Sequence, residues 1–207
     1  MGRGVRRGWD ADCPVDRTDR PGHSDPTPPP GLIGQVASGG YVLFFRHTAR
    51  DASVIQTGDL AIVDNAGQCV PGSELTSNGV SDATRLGEAL SRYGVKIDRV
   101  YASPTCRTTQ MARLAFGPQY ETRRELTWPG MWTVEESTTL TPPLRVLLGP
   151  QPAAGTNIVL ILHNDVLTED RTGVTVTLGQ GDSAVFRASG DGTFQLAGKI
   201  LLQEWLQ

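Results

Sequence analysis

Residues 41–47 decide the fold, because five apolar or aromatic side chains run without a break into a basic pair: Tyr-Val-Leu-Phe-Phe-Arg-His. A continuous apolar run of this length, preceded by Gly39 and Gly40, is typical of a β-strand buried on both faces. Such strands belong to parallel sheets that are covered by helices. Ligands bind at the carboxyl ends of these strands, where Arg46 and His47 stand.

A second apolar run follows the same pattern further along the chain. Residues 158–162 read Ile-Val-Leu-Ile-Leu, and His163 comes directly after them. A single histidine after a strand is more often a structural residue, but two of the three histidines of this chain stand in that position. If the two strands are neighbours, His47 and His163 meet at one edge of the sheet.

The segments between these strands predict helices and further strands, and hence a three-layer α/β/α sandwich with a mostly parallel central sheet. Apolar residues at helical spacing predict a helix that Thr76 or Ser77 caps and Gly94 ends. A strand at 99–102 leads into Ser103 and Pro104, which we interpret as the N-cap and first residue of the next helix. The remaining elements are predicted as follows: a long loop at 48–74, an extended piece at 120–126, a helix around 144–147, and strands at 174–178, 184–187 and 194–200.

The size and composition indicate one globular domain with an N-terminal extension. The chain has 207 residues, of which 38% are hydrophobic and 20% are charged. Residues 1–31 are rich in Pro, Gly and Arg and predict a disordered tail, so we expect the folded domain to span 32–207. A formal net charge of -3 argues against a nucleic-acid partner, and no run is apolar enough to span a membrane.

The sequence indicates neither a metal site nor a cofactor, because the three cysteines have no zinc-site spacing. The N-terminal residues contain no apolar core of a signal peptide, which predicts a cytoplasmic protein. The alternative is a periplasmic or secreted protein whose true N-terminus differs.

The predicted edge of the sheet suits phosphoryl transfer. The phosphoryl group carries its charge on the equatorial oxygens in transfer, and fixed guanidinium groups such as those of Arg46 and Arg107 bind such oxygens in pairs. The start of a helix adds free backbone N–H groups. A neutral histidine with one free ring nitrogen is a competent nucleophile at neutral pH.

Four blocks of the sequence closely resemble the histidine phosphatase (phosphoglycerate mutase-like) superfamily in their order and spacing. The blocks are Phe45-Arg46-His47-Thr48, Leu75-Thr76-Ser77-Asn78-Gly79, the stretch from Ala102 to Ala112 with Ser103-Pro104-Thr105-Cys106-Arg107, and Leu162-His163-Asn164. Within the superfamily the chain is most similar to a small bacterial branch of phosphohistidine phosphatases and lipopolysaccharide-core heptose phosphatases. The resemblance implies a phosphatase for a small phosphomonoester or a phosphoprotein.

The resemblance also implies roles for individual residues. His47 would be the phosphorylated nucleophile, and Arg46, Arg107 and His163 would bind the phosphate. Thr48 departs from the usual glycine and puts a side chain beside the pocket. The general acid has three candidates, which are Asp51, Glu125 and Asp165, and of these we favour Asp51.

Two alternatives to a phosphatase stay open, along with one question about the cysteines. A phosphomutase is less favoured, since the chain has no room for the segments that enclose a bisphosphate in known mutases. A non-catalytic module of the same fold could bind a phosphorylated ligand without hydrolysing it. Cys69 and Cys106 are two buried thiols in a reducing compartment, or a disulfide if the export of some relatives applies here.

Overall fold

The computed structural model describes residues 31–50, 69, 74–127, 135, 139, 147, 150–168 and 172–207. Six strands form one sheet: β1 (Tyr41–Arg46), β2 (Ile97–Ala102), β3 (Glu121–Thr122), β4 (Asn157–Leu162), β5 (Ser183–Ala188) and β6 (Phe194–Ile200). Their order across the sheet is β3-β2-β4-β1-β5-β6. The first four of these neighbours are parallel, whereas β5 is antiparallel to both β1 and β6. The predicted α/β fold with a mostly parallel core is therefore confirmed.

The described helices are α1 (Leu32–Ala37), α2 (Ser77–Arg92), α3 (Cys106–Phe116) and α4 (Leu202–Trp205). On one face of the sheet, Leu43 and Phe45 of β1 pack in a cluster with helix residues that include Leu86, Met111 and Trp205. On the opposite face, the cluster around Val42 and Phe44 contains Leu126, Leu147, Val166 and Leu178. Two 3₁₀ turns, Arg124–Leu126 and Asn164–Val166, contribute to this second cover.

Burial of β1 on both faces explains its uninterrupted apolar sequence. Successive side chains of a strand point to opposite faces, and here each face lies under a packed layer. Phe44 and Phe45 are fully buried on the two sides. Each contributes about 1.5–3 kcal/mol through the area removed from water.

Two sequence-based expectations about local structure are wrong. Ser103 is not a helix N-cap, because α3 begins at Cys106 and Thr105 takes the N-cap position. The backbone N–H of Ser103 donates to the carbonyl of Ile161 at 2.9 Å, so Ser103 continues the extended path of β2. Residues 174–178 do not form a strand, because they pair with no strand of the sheet.

The helix cap that the sequence predicts for α2 is confirmed. Thr76 rather than Ser77 caps α2, and its hydroxyl accepts from the N–H of Gly79. The proposed tail, most of the long loop at 48–74 and most of the helix around 144–147 lie outside the described residues.

Candidate active site

The two histidines that end apolar strands lie side by side. β1 and β4 are parallel neighbours, and Arg46 at the end of β1 is paired with Leu162 at the end of β4. The N–H of His47 then donates to the carbonyl of Leu162 at 3.1 Å. The rings of His47 and His163 have centroids 5.4 Å apart and are steeply inclined to each other.

The ring of His47 is held so that one nitrogen remains for chemistry. Nδ1 lies 2.8 Å from the carbonyl oxygen of Thr48, an atom that can only accept, so Nδ1 carries the proton. Burial, followed by the charge of Arg107, lowers the pKa of His47 to about 3. At neutral pH the ring is therefore neutral, with its lone pair on Nε2.

His163 uses both ring nitrogens in contacts with the segment that starts α3. Nη2 of Arg107 lies 3.3 Å from Nδ1, and because a guanidinium only donates, Nδ1 is the acceptor. Nε2 then carries the proton and donates to the hydroxyl of Ser103 at 3.0 Å. Burial, followed by the charge of Arg107, lowers the pKa of His163 well below its ordinary value.

Arg107 comes from the first turn of α3, as the sequence predicted. Only 3% of its surface is exposed. Burial and then the charges of Arg50 and Arg46 lower its pKa to about 10, so it remains a cation at neutral pH. The helix start and the strand ends thus converge on a concentrated positive charge.

Arg46 lies beside this group and is anchored to a neighbouring turn. Its Nη1 donates to the carbonyl of Leu178 at 2.7 Å. Its charge lowers the pKa of His47, of Arg107 and of His163, after the larger effect of burial in each case. The four residues named by the sequence, Arg46, His47, Arg107 and His163, are therefore brought together.

Arg50 is a further cation at this site that the sequence reasoning missed. The charge of Arg50 lowers the pKa of Arg107 by more than the charge of Arg46 does. The charge of Arg50 also lowers the pKa of both histidines. The signal in the sequence is its position three residues after His47. Because that position falls in a segment without periodicity, the sequence does not place it, whereas in the structure Arg50 forms an antiparallel bridge with Leu75.

The Leu-Thr-Ser-Asn-Gly block holds the segment that carries Arg50. Thr76 donates its N–H to the carbonyl of Ala49 at 3.0 Å, and its hydroxyl contacts the same oxygen at 3.2 Å. A side chain at position 79 would collide with that carbonyl, so Gly79 permits the close approach. The hydroxyl of Thr48 donates to the carbonyl of Gly79 at 2.8 Å, and Thr48 is fully buried. The extra side chain of Thr48 therefore bonds to α2.

The three candidate acids are described to different extents. Asp51 and the side chain of Asp165 lie outside the described residues. Glu125 is partly buried in the 3₁₀ turn after β3. The N–H of Arg123 donates to the carbonyl of Ala102 at 2.8 Å, which brings this turn to the carboxyl edge of the sheet.

A disulfide joins Cys69 to Cys106, with Cα atoms 5.5 Å apart. Cys106 is the first residue of α3 and precedes Arg107. The bond therefore ties residue 69 of the long loop to the helix start that carries a phosphate-site candidate. Of the two alternatives that the sequence left open, the structure has the disulfide.

The described residues contain neither a candidate metal site nor a candidate membrane span. Within them, no group of three His, Cys, Asp or Glu side chains is arranged to hold a metal ion. No helix in the described part of the chain has the length and apolar character to cross a membrane.

Comparison with known proteins finds a family similarity over part of the chain. The model of the histidine phosphatase superfamily (branch 1) matches residues 42–127, which contain the first three of the four sequence blocks. Over these residues the chain is similar to the histidine phosphatase superfamily. The fourth block, with His163, lies beyond the matched residues, and the parallel pairing of β4 with β1 brings it to the same site. No curated protein sequence matches the chain.

Solved structures of histidine phosphatases share the fold. The protein histidine phosphatase SixA complexed with tungstate superposes with a TM-score of 0.54 at 17% identity, covering 79% of this chain and 97% of SixA. The product of the open reading frame Rv3214 from Mycobacterium tuberculosis gives 0.53 at 17% identity, covering 78% and 97%. A mycobacterial glucosyl-3-phosphoglycerate phosphatase gives 0.52 at 11% identity, covering 76% and 96%. These likenesses establish the fold.

Proposed function

We propose that this chain hydrolyses a phosphomonoester through a phosphohistidine formed on Nε2 of His47. The observation that carries the proposal is the neutral His47 ring, whose Nδ1 proton is bonded to the carbonyl of Thr48. This arrangement leaves Nε2 as the nucleophilic atom among buried cations. Solved phosphatases with the same fold support the general activity.

The cations of the site would bind the transferring group. The charges of Arg46 and Arg50 lower the pKa of Arg107 and of both histidines, which means that like charges are held together at some cost. A phosphate dianion among them would relieve this repulsion and supply the acceptors that guanidinium groups bind. We assign Arg46, Arg107 and His163 to phosphate binding, and add Arg50 to them.

The reaction would proceed in two displacements. Nε2 of His47 attacks phosphorus in line, the P–O ester bond breaks, and a carboxylic acid gives its proton to the leaving oxygen. Water then attacks the phosphohistidine, the P–N bond breaks, and the same carboxylate accepts the proton. Asp51 is our first candidate for this acid, with Glu125 and Asp165 as the alternatives.

The disulfide bears on where the protein works. Cys69 and Cys106 are bonded, and disulfides persist in oxidising compartments while thiol reductants remove them in the cytosol. We therefore favour the periplasmic or secreted alternative over the cytoplasmic expectation.

The proposal is tested by trapping the phosphoenzyme. The purified full chain is mixed with radiolabelled p-nitrophenyl phosphate and quenched in alkali, in which phosphohistidine is stable. We expect labelled protein and p-nitrophenol release from the wild type, and neither from His47→Ala. His23→Ala is the matched control and should retain both.

Each contrary result has a distinct meaning. Product release by His47→Ala at the wild-type rate would refute the nucleophile. Phosphate binding without label or turnover in the wild type would indicate the non-catalytic module. Interconversion of 3- and 2-phosphoglycerate would indicate a mutase.

A further inference from the structure

Arg46 is held by a turn whose shape depends on one buried carboxylate. The turn comprises residues 178–182 and lies between the segment 172–178 and β5. Nη1 of Arg46 donates to the carbonyl of Leu178 at 2.7 Å. The backbone of Arg46 is bonded to the same turn, because its N–H donates to the carbonyl of Asp182 at 3.0 Å and its carbonyl accepts from Gly181.

The turn also contacts the nucleophile through its backbone. The N–H of Gly181 lies 3.2 Å from the carbonyl oxygens of both Arg46 and His47. Gly181 has a φ of +82°, a conformation that favours glycine. The Arg-His pair is thus held on one side by β4 and on the other by this turn.

The carboxylate of Asp182 makes three contacts that shape the turn. Oδ2 accepts from the N–H of Gly179 at 2.8 Å and pairs with Nζ of Lys199 at 2.8 Å. Oδ1 accepts from the N–H of Leu202 at 3.0 Å. Asp182 is only 8% exposed. Burial acts to raise its pKa, but the hydrogen bonds from Lys199, Leu202 and Gly179 outweigh it and hold the pKa below its ordinary value.

Two further contacts fix Leu178 between the carboxylate network and the second histidine. Nζ of Lys199 also donates to the carbonyl of Thr177 at 3.0 Å, one residue before Leu178. The N–H of Leu178 donates to Oδ1 of Asn164 at 2.9 Å. Asn164 directly follows His163. The peptide that accepts from Arg46 is therefore braced on both sides.

We propose that Asp182, paired with Lys199, is a positioning residue that holds the guanidinium of Arg46 in place for phosphate through the turn 178–182. The inference rests on the proposed function, since it assigns Arg46 to phosphate. Asp182 itself contacts neither His47 nor His163 through any of its three side-chain bonds. Its effect on the site passes through backbone atoms of the turn.

The decisive experiment is a double-mutant cycle in the full-length, oxidised chain. Binding of inorganic phosphate is measured by calorimetry for the wild type, Asp182→Asn, Arg46→Gln and the double variant. Asparagine keeps the size of the side chain but cannot accept from all three donors. We expect Asp182→Asn to weaken phosphate binding about tenfold, because small displacements of a positioning group carry penalties of this order.

The coupling distinguishes positioning from general stabilisation. If Asp182 acts through Arg46, Asp182→Asn should weaken binding by less than about twofold in the Arg46→Gln background. Asp191→Asn is the matched control, because Asp191 also accepts from a turn N–H, in the turn between β5 and β6. That turn is at the end of the β5–β6 hairpin away from Asp182 and Lys199, so this variant should bind phosphate like the wild type.

Contrary outcomes are separable. Full additivity of the two substitutions, or unchanged binding by Asp182→Asn, would overturn the inference while leaving the phosphate site intact. A wild type that bound no phosphate would overturn the proposed function, and this inference with it. If Asp182→Asn fails to fold, Lys199→Met replaces it in the same cycle. We then expect a smaller loss of phosphate binding and the same non-additivity with Arg46→Gln.

Discussion

His47 and His163 occupy equivalent places in the fold and differ in what holds their rings. Each follows a fully apolar strand, and the two strands are parallel neighbours. The ring of His47 is bonded to the carbonyl of Thr48, the next residue in the chain. His163 is held instead by two side chains from a different part of the chain, Arg107 and Ser103.

This difference separates a ring that can act as a nucleophile from a ring that holds Arg107. A ring oriented by its own backbone keeps its geometry whatever the neighbouring side chains do, and it presents Nε2 to the site. The ring of His163 carries its proton on Nε2 and accepts from Arg107 through Nδ1. Its orientation therefore depends on the position of Arg107. Equivalent positions at the sheet edge therefore acquire different chemical roles from the partners of their ring nitrogens.

The largest expected effect that tests this difference comes from His163→Ala. His163→Ala removes the ring that accepts from Arg107, and loss of one donor to the transferring group costs about 100–1000-fold in rate, so kcat should fall by that order while labelled phosphohistidine still forms, slowly. His47→Ala should form none. Rapid-quench measurement of the label in both variants checks the distinction. Equal loss of the label in the two variants would contradict it.

The disulfide gives the second effect, since it anchors the helix start that carries the partner of His163. Cys69 and Cys106 are separated by 37 residues. In the chain-entropy model, closing a loop of this size contributes about 4 kcal/mol to the free energy of unfolding, and less if the native state relaxes. Urea unfolding with and without reductant measures the loss.

The matched variants for this prediction are available in the chain. The double variant Cys69→Ser/Cys106→Ser should show the reduced protein's stability and no response to reductant, whereas Cys13→Ser should behave like the wild type. Alkylation of unfolded protein should label one cysteine before reduction and three afterwards. Three labels before reduction would show that the bond is absent.

Taken per pH unit, the smallest expected effect is the pH dependence of stability. The pKa of His47 is lowered to about 3 and that of His163 is lowered well below its ordinary value, both first by burial. Below about pH 6.5 the unfolded chain therefore binds protons that the folded chain does not. The free energy of unfolding should therefore fall as pH falls below about 6.5, with a limiting slope of about 1.4 kcal/mol per pH unit for each ring that stays neutral in the folded chain.

A variant isolates the histidine contribution from that of the carboxylates. His47→Ala should reduce the slope of stability against pH by one ring's share, measured by urea unfolding at several pH values between 4 and 7. Inorganic phosphate should also flatten the wild-type slope, because a bound anion favours the protonated rings. An unchanged slope in His47→Ala would show that this ring titrates normally in the folded protein.

The parts of the site that sequence predicted are those fixed by strand periodicity. Burial on both faces requires an unbroken apolar run, so the two strands and the residues that end them could be located directly. The position of Arg107 followed from the strand-to-helix connection. The expected cap at Ser103 was wrong, because side-chain hydroxyls serve as helix caps or as partners of other groups, and the choice depends on what lies opposite.

The sequence by itself determined the α/β class, the four sequence blocks and the position of His47 and His163 at the ends of apolar strands, because these depend on local periodicity and on short motifs. Only the tertiary structure decided that Arg50 joins the pocket, that Cys69 bonds to Cys106, and that the turn with Asp182 braces Arg46. Those contacts join segments without periodicity to distant parts of the chain. Their distances depend on how the whole sheet is assembled, which no local pattern encodes.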